Sequence, residues 1–396
     1  MNSKMDEKIK GVMPTYGRQP VCFVKGKGMW LIDDLGDCYM DMVSGVAVNA
    51  LGHCSEVMIN ALQEQAKELI HVSNLYWNKP QVELADKLLS LSGGDFKDVF
   101  FCNSGTEALE GAIKLCKKFG NQKNKSKLLF MSNSFHGRST GALAITGQPK
   151  YQLPFGALLQ GCISVPLNDG DELKKALDEH GDEIASVFIE PIQGEGGVIQ
   201  VEDSFLKEIE AFCKEKEAIL VFDEVQCGAG RLGTYYAYQS FSVKPDVVCM
   251  AKGLGGGVPI GAIIANQKAS VFEKSDHGST FGGNPLMCAV SLAVTDKIAE
   301  SAFLEQVKET SKYIVEQLGL MKAEALIKDY RGKGLLLGIV VDSPNQFVQK
   351  AHDNKLLLVA AGSDAVRILP PLNTTLEDAK QFMELLRVVA HSFVLE

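Results

Sequence analysis

Along residues 21–43 short apolar stretches alternate with turn pairs (Gly26-Lys27-Gly28, Asp33-Asp34, Gly36-Asp37), a pattern that predicts a small antiparallel meander. From Glu56 the period lengthens to that of a helix, with Met58, Ala61, Leu62, Ala66 and Leu69 on one face. Strand-length apolar runs then recur between helical segments: Val99–Cys102, Leu128–Met131, Ser186–Ile189, Ile219–Phe222 and Val247–Met250. Runs without polar alternation suit strands covered on both faces, so the middle of the chain reads as a mostly parallel α/β sheet. After Pro285 the pattern is helical again, followed by glycine-punctuated strands over 331–341 and 356–369 and a closing helix from Leu376 to about Phe393. The predicted division is an N-terminal segment, 1–55, that packs with a smaller C-terminal α+β domain, 286–396, around a large domain, 56–285. No internal repeat or low-complexity linker interrupts it.

A length of 396 residues with 46% hydrophobic content supports a large core. Lys and Arg total 40 against 49 Asp and Glu, a formal charge of -9 without a dense basic block, so no nucleic-acid partner is expected. The segment Met1–Lys10 lacks the apolar core of a secretory signal, and the uncharged stretch Gly253–Gln267 is too short and glycine-rich to span a bilayer. A cytoplasmic protein without a membrane partner is expected. The ten cysteines show neither a C-x-x-C nor paired Cys/His spacing, which predicts reduced thiols and no metal site.

Each of the five buried runs leads directly into an unusual polar or glycine-rich segment: Asn103-Ser104-Gly105-Thr106, Ser134-Phe135-His136-Gly137-Arg138, Glu190 to Glu195, Asp223-Glu224-Val225-Gln226 and Ala251-Lys252-Gly253. In open α/β sheets ligands bind outside the carboxyl ends of strands, so one crevice can gather all five. Ser104-Gly105-Thr106 precedes an amphipathic helix (Leu109, Ala112, Ile113, Cys116) and reads either as a phosphate cup at a helix N-terminus or as an ordinary N-cap. Nucleotide loops are set aside, because residues 253–258 miss the last glycine of G-x-G-x-x-G and no G-K-[ST] occurs.

Asp223, ending an apolar strand, needs a cationic or donor partner, for which a pyridinium nitrogen is suited. Lys252, also at a strand end, becomes a free amine if desolvated and can then attack an aldehyde. With a flat heteroaromatic cofactor present, Phe135 and Val225 can cover the two ring faces and Gln226 can reach a ring hydroxyl; without one they are plain core. Arg138, and Arg367 in its apolar run, are candidates for bidentate carboxylate binding.

In these residues the chain resembles the class III, or ornithine/acetylornithine, aminotransferases. The shared strings are Leu51-Gly-His-Cys54, Ser104-Gly-Thr-Glu107, Phe135-His-Gly-Arg138, Glu190-Pro-Ile-Gln-Gly-Glu195, Val221-Phe-Asp-Glu-Val-Gln-Cys-Gly228, Ala251-Lys-Gly-Leu-Gly-Gly-Gly257 and Thr280-Phe-Gly-Gly-Asn-Pro285. The resemblance implies a homodimeric transferase of fold type I, dependent on pyridoxal 5′-phosphate (PLP). In it Lys252 carries the cofactor and moves the proton, Asp223 pairs the ring nitrogen, and Phe135 and Val225 sandwich the ring. Gln226 touches the ring hydroxyl; Ser104, Gly105 and Thr106 hold the phosphate, joined by Thr280 of the neighbouring subunit. The implied reaction is ping-pong transfer of the δ-amino group of N2-acetyl-L-ornithine to 2-oxoglutarate, giving N-acetyl-L-glutamate 5-semialdehyde and L-glutamate, a step of arginine biosynthesis. Arg138 is then the receptor for the acetylornithine carboxylate, Glu195 masks Arg367 until glutamate arrives, Tyr16 helps hold substrate, and Val46 leaves room for an acylated amine. Two positions depart from the pattern: Leu109 replaces an asparagine, and Ser55-Glu56 replaces His-Pro. Succinylornithine, ornithine, lysine or 4-aminobutyrate are alternative donors, and a catalytically silent PLP-binding protein is the alternative outside enzymes.

Overall fold

The computed structural model describes residues 11–394; Met1–Lys10, where no export signal is expected, lie outside the described residues. The predicted meander forms as β1 (Phe23–Lys27), β2 (Trp30–Asp33) and β3 (Cys38–Asp41), paired antiparallel. All five buried runs are strands: β4 (Asp98–Cys102), β5 (Lys127–Met131), β7 (Ile184–Ile189), β10 (Ile219–Asp223) and β11 (Val247–Met250). Two further strands complete this sheet, β6 (Cys162–Val165) and β12 (Gly261–Ala265). Its order is β4-β12-β11-β10-β7-β5-β6, and the pairings are parallel except where β12 runs antiparallel to both neighbours. A separate ribbon, β8 (Ile192–Gln193) with β9 (Ile199–Gln200), lies in the loop after β7.

The C-terminal region supplies β13 (Asp329–Lys333), β14 (Leu336–Val340), β15 (Leu356–Leu357), β16 (Val359–Ala361) and β17 (Ala365–Ile368). Four of them form an antiparallel sheet in the order β13-β14-β17-β16, while β15 adds in parallel to β3 of the N-terminal meander. Arg367 sits mid-strand in β17, opposite Gly338 on one side and Val359 on the other. The closing helix spans Leu376–Val394 and buries Ala379, Phe382, Met383 and Leu386.

Helix Gly105–Asn121 covers the large sheet with Leu109, Ala112, Ile113 and Cys116, all buried as their spacing predicts. Leu109 is fully enclosed among Ile113, Val221 and Cys249, so a leucine here fills core volume that an asparagine could enter only with a hydrogen-bond partner. The second departure also has a local reading, because Ser55 sits at the start of helix Glu56–Glu68 and Glu56 places a carboxylate against its positive end. The predicted face of that helix is only half covered. Met58 is buried, whereas Ala66 is exposed and Leu69 lies past the end in extended backbone, 41% exposed. Leu75, Tyr76, Trp77 and Phe281 are likewise open to solvent. All ten cysteines are free thiols. Among the described residues no helix is long and apolar enough to cross a membrane.

Leu109→Ala should lower the stability of the chain by about 2–4 kcal/mol, the usual cost of emptying a buried leucine site. A change in thermal or denaturant midpoint too small to distinguish from the parent would show that the helix does not depend on this contact.

Candidate active site

A cleft of about 430 Å³ opens at the carboxyl ends of the large sheet, and residues from all five post-strand segments line it. After β4 comes Ser104, in extended backbone, whose hydroxyl accepts from the Glu107 N–H at 3.3 Å and caps the helix that follows. The amides of Gly105 and Thr106 fall in the first turn, where no intrahelical carbonyl is available to them, and the helix dipole adds partial positive charge. The Thr106 hydroxyl is engaged with the next loop: it lies 2.6 Å from Ser139 Oγ and accepts from the Arg138 N–H at 3.2 Å. That loop can approach because Gly137 (φ 139°) has no side chain; a Cβ there would lie 2.3 Å from Thr106 Oγ1.

After β5 the loop carries Phe135 and His136. The Phe135 N–H donates to Glu190 Oε1 at 2.8 Å, which ties the ends of β5 and β7 together. His136 is buried, with Nδ1 2.7 Å from Asp223 Oδ2, while its Nε2 has no partner among the described residues. Asp223, 4% exposed, also accepts from the Val225 N–H at 2.9 Å. Burial opposes protonation of His136, but the hydrogen bond and charge of Asp223, with the charge of Glu190, outweigh it and raise the imidazole above its ordinary value. Glu190 is pushed up to about 7 by burial and by the nearby Asp223 charge, against the opposing pull of His136. Glu224, which follows Asp223, turns the other way, accepts from the Ala237 and Tyr238 amides, and is raised by burial to about 8.

Lys252 ends the sheet segment after β11 with a left-handed backbone (φ 45°), an uncommon conformation for a residue with a side chain and one that clusters at functional sites. Burial and the charge of Arg367 lower its pKa, while Glu195, Asp223 and Glu190 pull the other way. Arg367, 1% exposed, reaches the cleft from β17 and pairs with Glu195 Oε1 at 2.8 Å. It also donates to Gln226 Oε1 at 3.3 Å, and its Nε has no partner among the described residues. Arg138 is different: its guanidinium stacks 3.7 Å from the Tyr151 ring centroid and 5.5 Å from that of Phe135.

The residues present fit a flat ring with an anionic tail. Phe135 and Val225 both face the cleft, and Val225 packs so closely on Gly105 that a Cβ there would meet Val225 Cγ1 at 2.8 Å. Asp223 offers an oriented carboxylate between them, and the start of helix Gly105–Asn121 offers amides to an anion. Of the residues singled out from sequence, Ser104, Gly105, Thr106, Phe135, Arg138, Glu195, Asp223, Val225, Gln226 and Lys252 line this one cleft, and Arg367 joins through Glu195. Three do not reach it within one chain. Tyr16 is 74% exposed beside Arg18. Val46, in a left-handed turn, packs against the cluster of Ile192 and Cys227, and it is Val48 that lines the cleft. Thr280 lies in a separate recess with His71 and Asn78. His136 and Glu190 as partners around Asp223, and Tyr151 beneath Arg138, were missed by sequence reasoning. The strand-end position of the first two was visible, but nothing in the string of residues pairs them. Among the described residues no cluster of three or more potential ligands is placed to hold a metal ion.

The chain matches the class-III aminotransferase family over residues 12–389. An acetylornithine aminotransferase of Clostridium acetobutylicum is 48% identical over 374 residues, covering 93% of this chain and 95% of the relative. The crystal structure of N-acetylornithine aminotransferase from Stenotrophomonas maltophilia superposes with a TM-score of 0.84 at 33% identity, covering 96% of this chain and 98% of that one. An ornithine aminotransferase structure from Toxoplasma gondii gives a TM-score of 0.91 at 28% identity with 99% of each chain covered.

With the cofactor stripped, a lysine of lowered pKa holds more free amine at a given pH than a solvated one. A small acylating reagent at about pH 8 should therefore label Lys252 ahead of the surface lysines in a peptide map. Labelling of Lys252 no faster than the exposed Lys67 would contradict the assigned environment.

Proposed function

The chain belongs to the class-III aminotransferases, and we propose that it moves the δ-amino group of N2-acetyl-L-ornithine to 2-oxoglutarate, giving N-acetyl-L-glutamate 5-semialdehyde and L-glutamate in arginine biosynthesis. The architecture is that of fold type I, and the enzyme is PLP-dependent. Phe135 and Val225 hold the ring, Asp223 holds its nitrogen, Gln226 its hydroxyl, and Ser104, Gly105 and Thr106 its phosphate. When bound, PLP supplies an electron sink for the negative charge that develops at the carbon bearing the transferred amino group.

What the chain itself contributes is charge placement and proton transfer. His136 fixes one oxygen of Asp223 and the Val225 amide the other, so the carboxylate presents a defined negative charge to the ring nitrogen. Lys252, with its lowered affinity for protons, takes the proton from the reacting carbon of the substrate and would deliver it to the cofactor carbon that receives the amino group.

The observation that carries the substrate assignment is the unequal state of two arginines. Arg367 is covered by Glu195, while among the described residues Arg138 makes no ion pair and stands open over aromatic rings. An amine donor with one carboxylate far from its reacting amine needs one receptor, Arg138, and is served by keeping Arg367 neutralised. Glutamate and 2-oxoglutarate carry two carboxylates; with them Glu195 moves aside, and Arg367 takes the carboxylate next to the reacting carbon. One pocket thereby serves both half-reactions of a ping-pong cycle. Val48, two residues after Val46, is the side chain of this turn that lines the cleft, and it is small enough to leave space for the acyl group.

We further infer a homodimer in which Thr280 of the partner subunit joins the phosphate site. Supporting it, Thr280 lies beside the exposed Phe281, close to Leu75 and Trp77, which are 84% and 89% exposed in the single chain. Surfaces of this kind mark interfaces. The reading places the enzyme in the cytoplasm.

In single-turnover absorbance measurements, N-acetyl-L-ornithine and glutamate should discharge the visible band of the holoenzyme faster than ornithine or 4-aminobutyrate. A faster response to ornithine or 4-aminobutyrate would overturn the donor assignment and leave the aminotransferase chemistry in place. Glu195→Ala should slow the N-acetylornithine half-reaction relative to the glutamate half-reaction by about tenfold or more, because Arg367 is left bare. An unchanged ratio of the two rates would refute the masking role.

A further inference from the structure

Arg138 is the one arginine at the cleft that no carboxylate or carbonyl holds among the described residues, yet a receptor must be fixed to discriminate. Its guanidinium lies over a neighbouring ring instead: the Tyr151 ring centroid is 3.7 Å from its central carbon, a stacking distance. The Phe135 ring stands edge-on to Tyr151, at 6.1 Å and 87°, so Phe135, Tyr151 and Arg138 form one packed assembly.

Tyr151 owes its position to the chain and not to Arg138. It lies in the short helix Pro149–Gln152, and its N–H donates to the Gln148 carbonyl at 3.0 Å. Gln148 is buried and donates to the carbonyls of Asn133 and Ser134, at the exit of β5. Gln152 donates to the carbonyls of Leu143 and Thr146 at 3.0 and 2.9 Å. Two amide side chains thus pin the segment on both sides of the tyrosine. Lys150 Nζ, 4.8 Å from the same ring, adds a second positive charge nearby.

A guanidinium stacked on a ring keeps its in-plane N–H edges free, whereas one held by a carboxylate spends them. From this we propose that Tyr151 is a positioning and specificity-determining residue for the amine donor. It holds Arg138 at a set distance from the ring-binding residue Phe135, leaves its donor edge open to the substrate carboxylate, and so selects the length of chain between carboxylate and reacting amine. The proposal rests on Arg138 being the donor's carboxylate receptor. Glutamate, whose nearer carboxylate is assigned to Arg367, should be far less sensitive.

The test compares the holoenzyme with Tyr151→Leu, which keeps bulk and removes the ring, and Tyr151→Phe, which keeps the stack. Each half-reaction is followed separately with N-acetyl-L-ornithine, its one-carbon-longer homologue N2-acetyl-L-lysine, ornithine, 4-aminobutyrate and glutamate. For Tyr151→Leu the expected result is about a tenfold rise in KM for N-acetylornithine with kcat little changed. Discrimination against N-acetyllysine should narrow, and KM for glutamate should stay within about twofold. Tyr151→Phe should behave as the parent. An unchanged KM for N-acetylornithine in Tyr151→Leu, an equal loss with glutamate, or a Tyr151→Phe variant as impaired as Tyr151→Leu would each overturn the proposal. If the parent prefers ornithine or 4-aminobutyrate, the donor assignment falls, and the role of Tyr151 stands or falls on the same ratio between that donor and glutamate.

Discussion

A carboxylate at the inner end of a buried strand is the constraint on which the site depends. Asp223 closes β10, 4% exposed, where an uncompensated negative charge would be strongly unfavourable. Its two oxygens are held from two directions, by the His136 ring and by the Val225 amide. His136 reaches it from the loop after β5, and Glu190, after β7, holds that loop through the Phe135 amide. Three neighbouring strands are thereby locked to one another through the groups that surround a single charge. Of the cleft-lining residues, Phe135 adjoins the His136 anchor and Val225 carries the anchoring amide itself, so fixing the charge also fixes these walls of the cleft.

Charge balance extends outward from that centre. Lys252 feels three carboxylates, Glu195, Asp223 and Glu190, and one guanidinium, and its lowered proton affinity is the outcome of burial together with Arg367. Arg367 in turn is balanced by Glu195 and by the neutral carbonyl of Gln226. The two arginines differ in physical kind: one is buried, paired and supplied by the small sheet, the other exposed and held by stacking. In the proposed cycle that difference lets one pocket treat substrates with one and with two carboxylates differently, since moving Glu195 exposes a charge that Arg138 never has to uncover.

Much of this was legible in the residues alone. Strands buried on both faces have unbroken apolar runs, and each is followed by its chemical segment, so β4, β5, β7, β10 and β11 and the ten residues lining their ends could be placed together. β6 escaped because it lies at the sheet edge, where Ser164 is exposed and Cys162 only half-buried. β12 escaped because Gly261–Ala265 continues a glycine-rich stretch that carries no periodic signal. The pairing of His136 with Asp223 joins residues 87 positions apart and is set by strand order, while the stack of Arg138 on Tyr151, 13 positions apart within the β5–β6 connection, is set by how that connection folds and not by any periodic pattern. The half-covered helix Glu56–Glu68 shows the converse: its apolar stripe was readable, but Ala66 and Leu69 stay exposed among the described residues.

Lys252 is the residue proposed to hold the cofactor. Reducing the PLP-loaded protein with borohydride and mapping the modified peptide by mass spectrometry tests this assignment. Stoichiometric attachment of the phosphopyridoxyl group to Lys252 is the predicted result, with its loss in Lys252→Ala. An unmodified Lys252, or a label spread over surface lysines, would contradict the account.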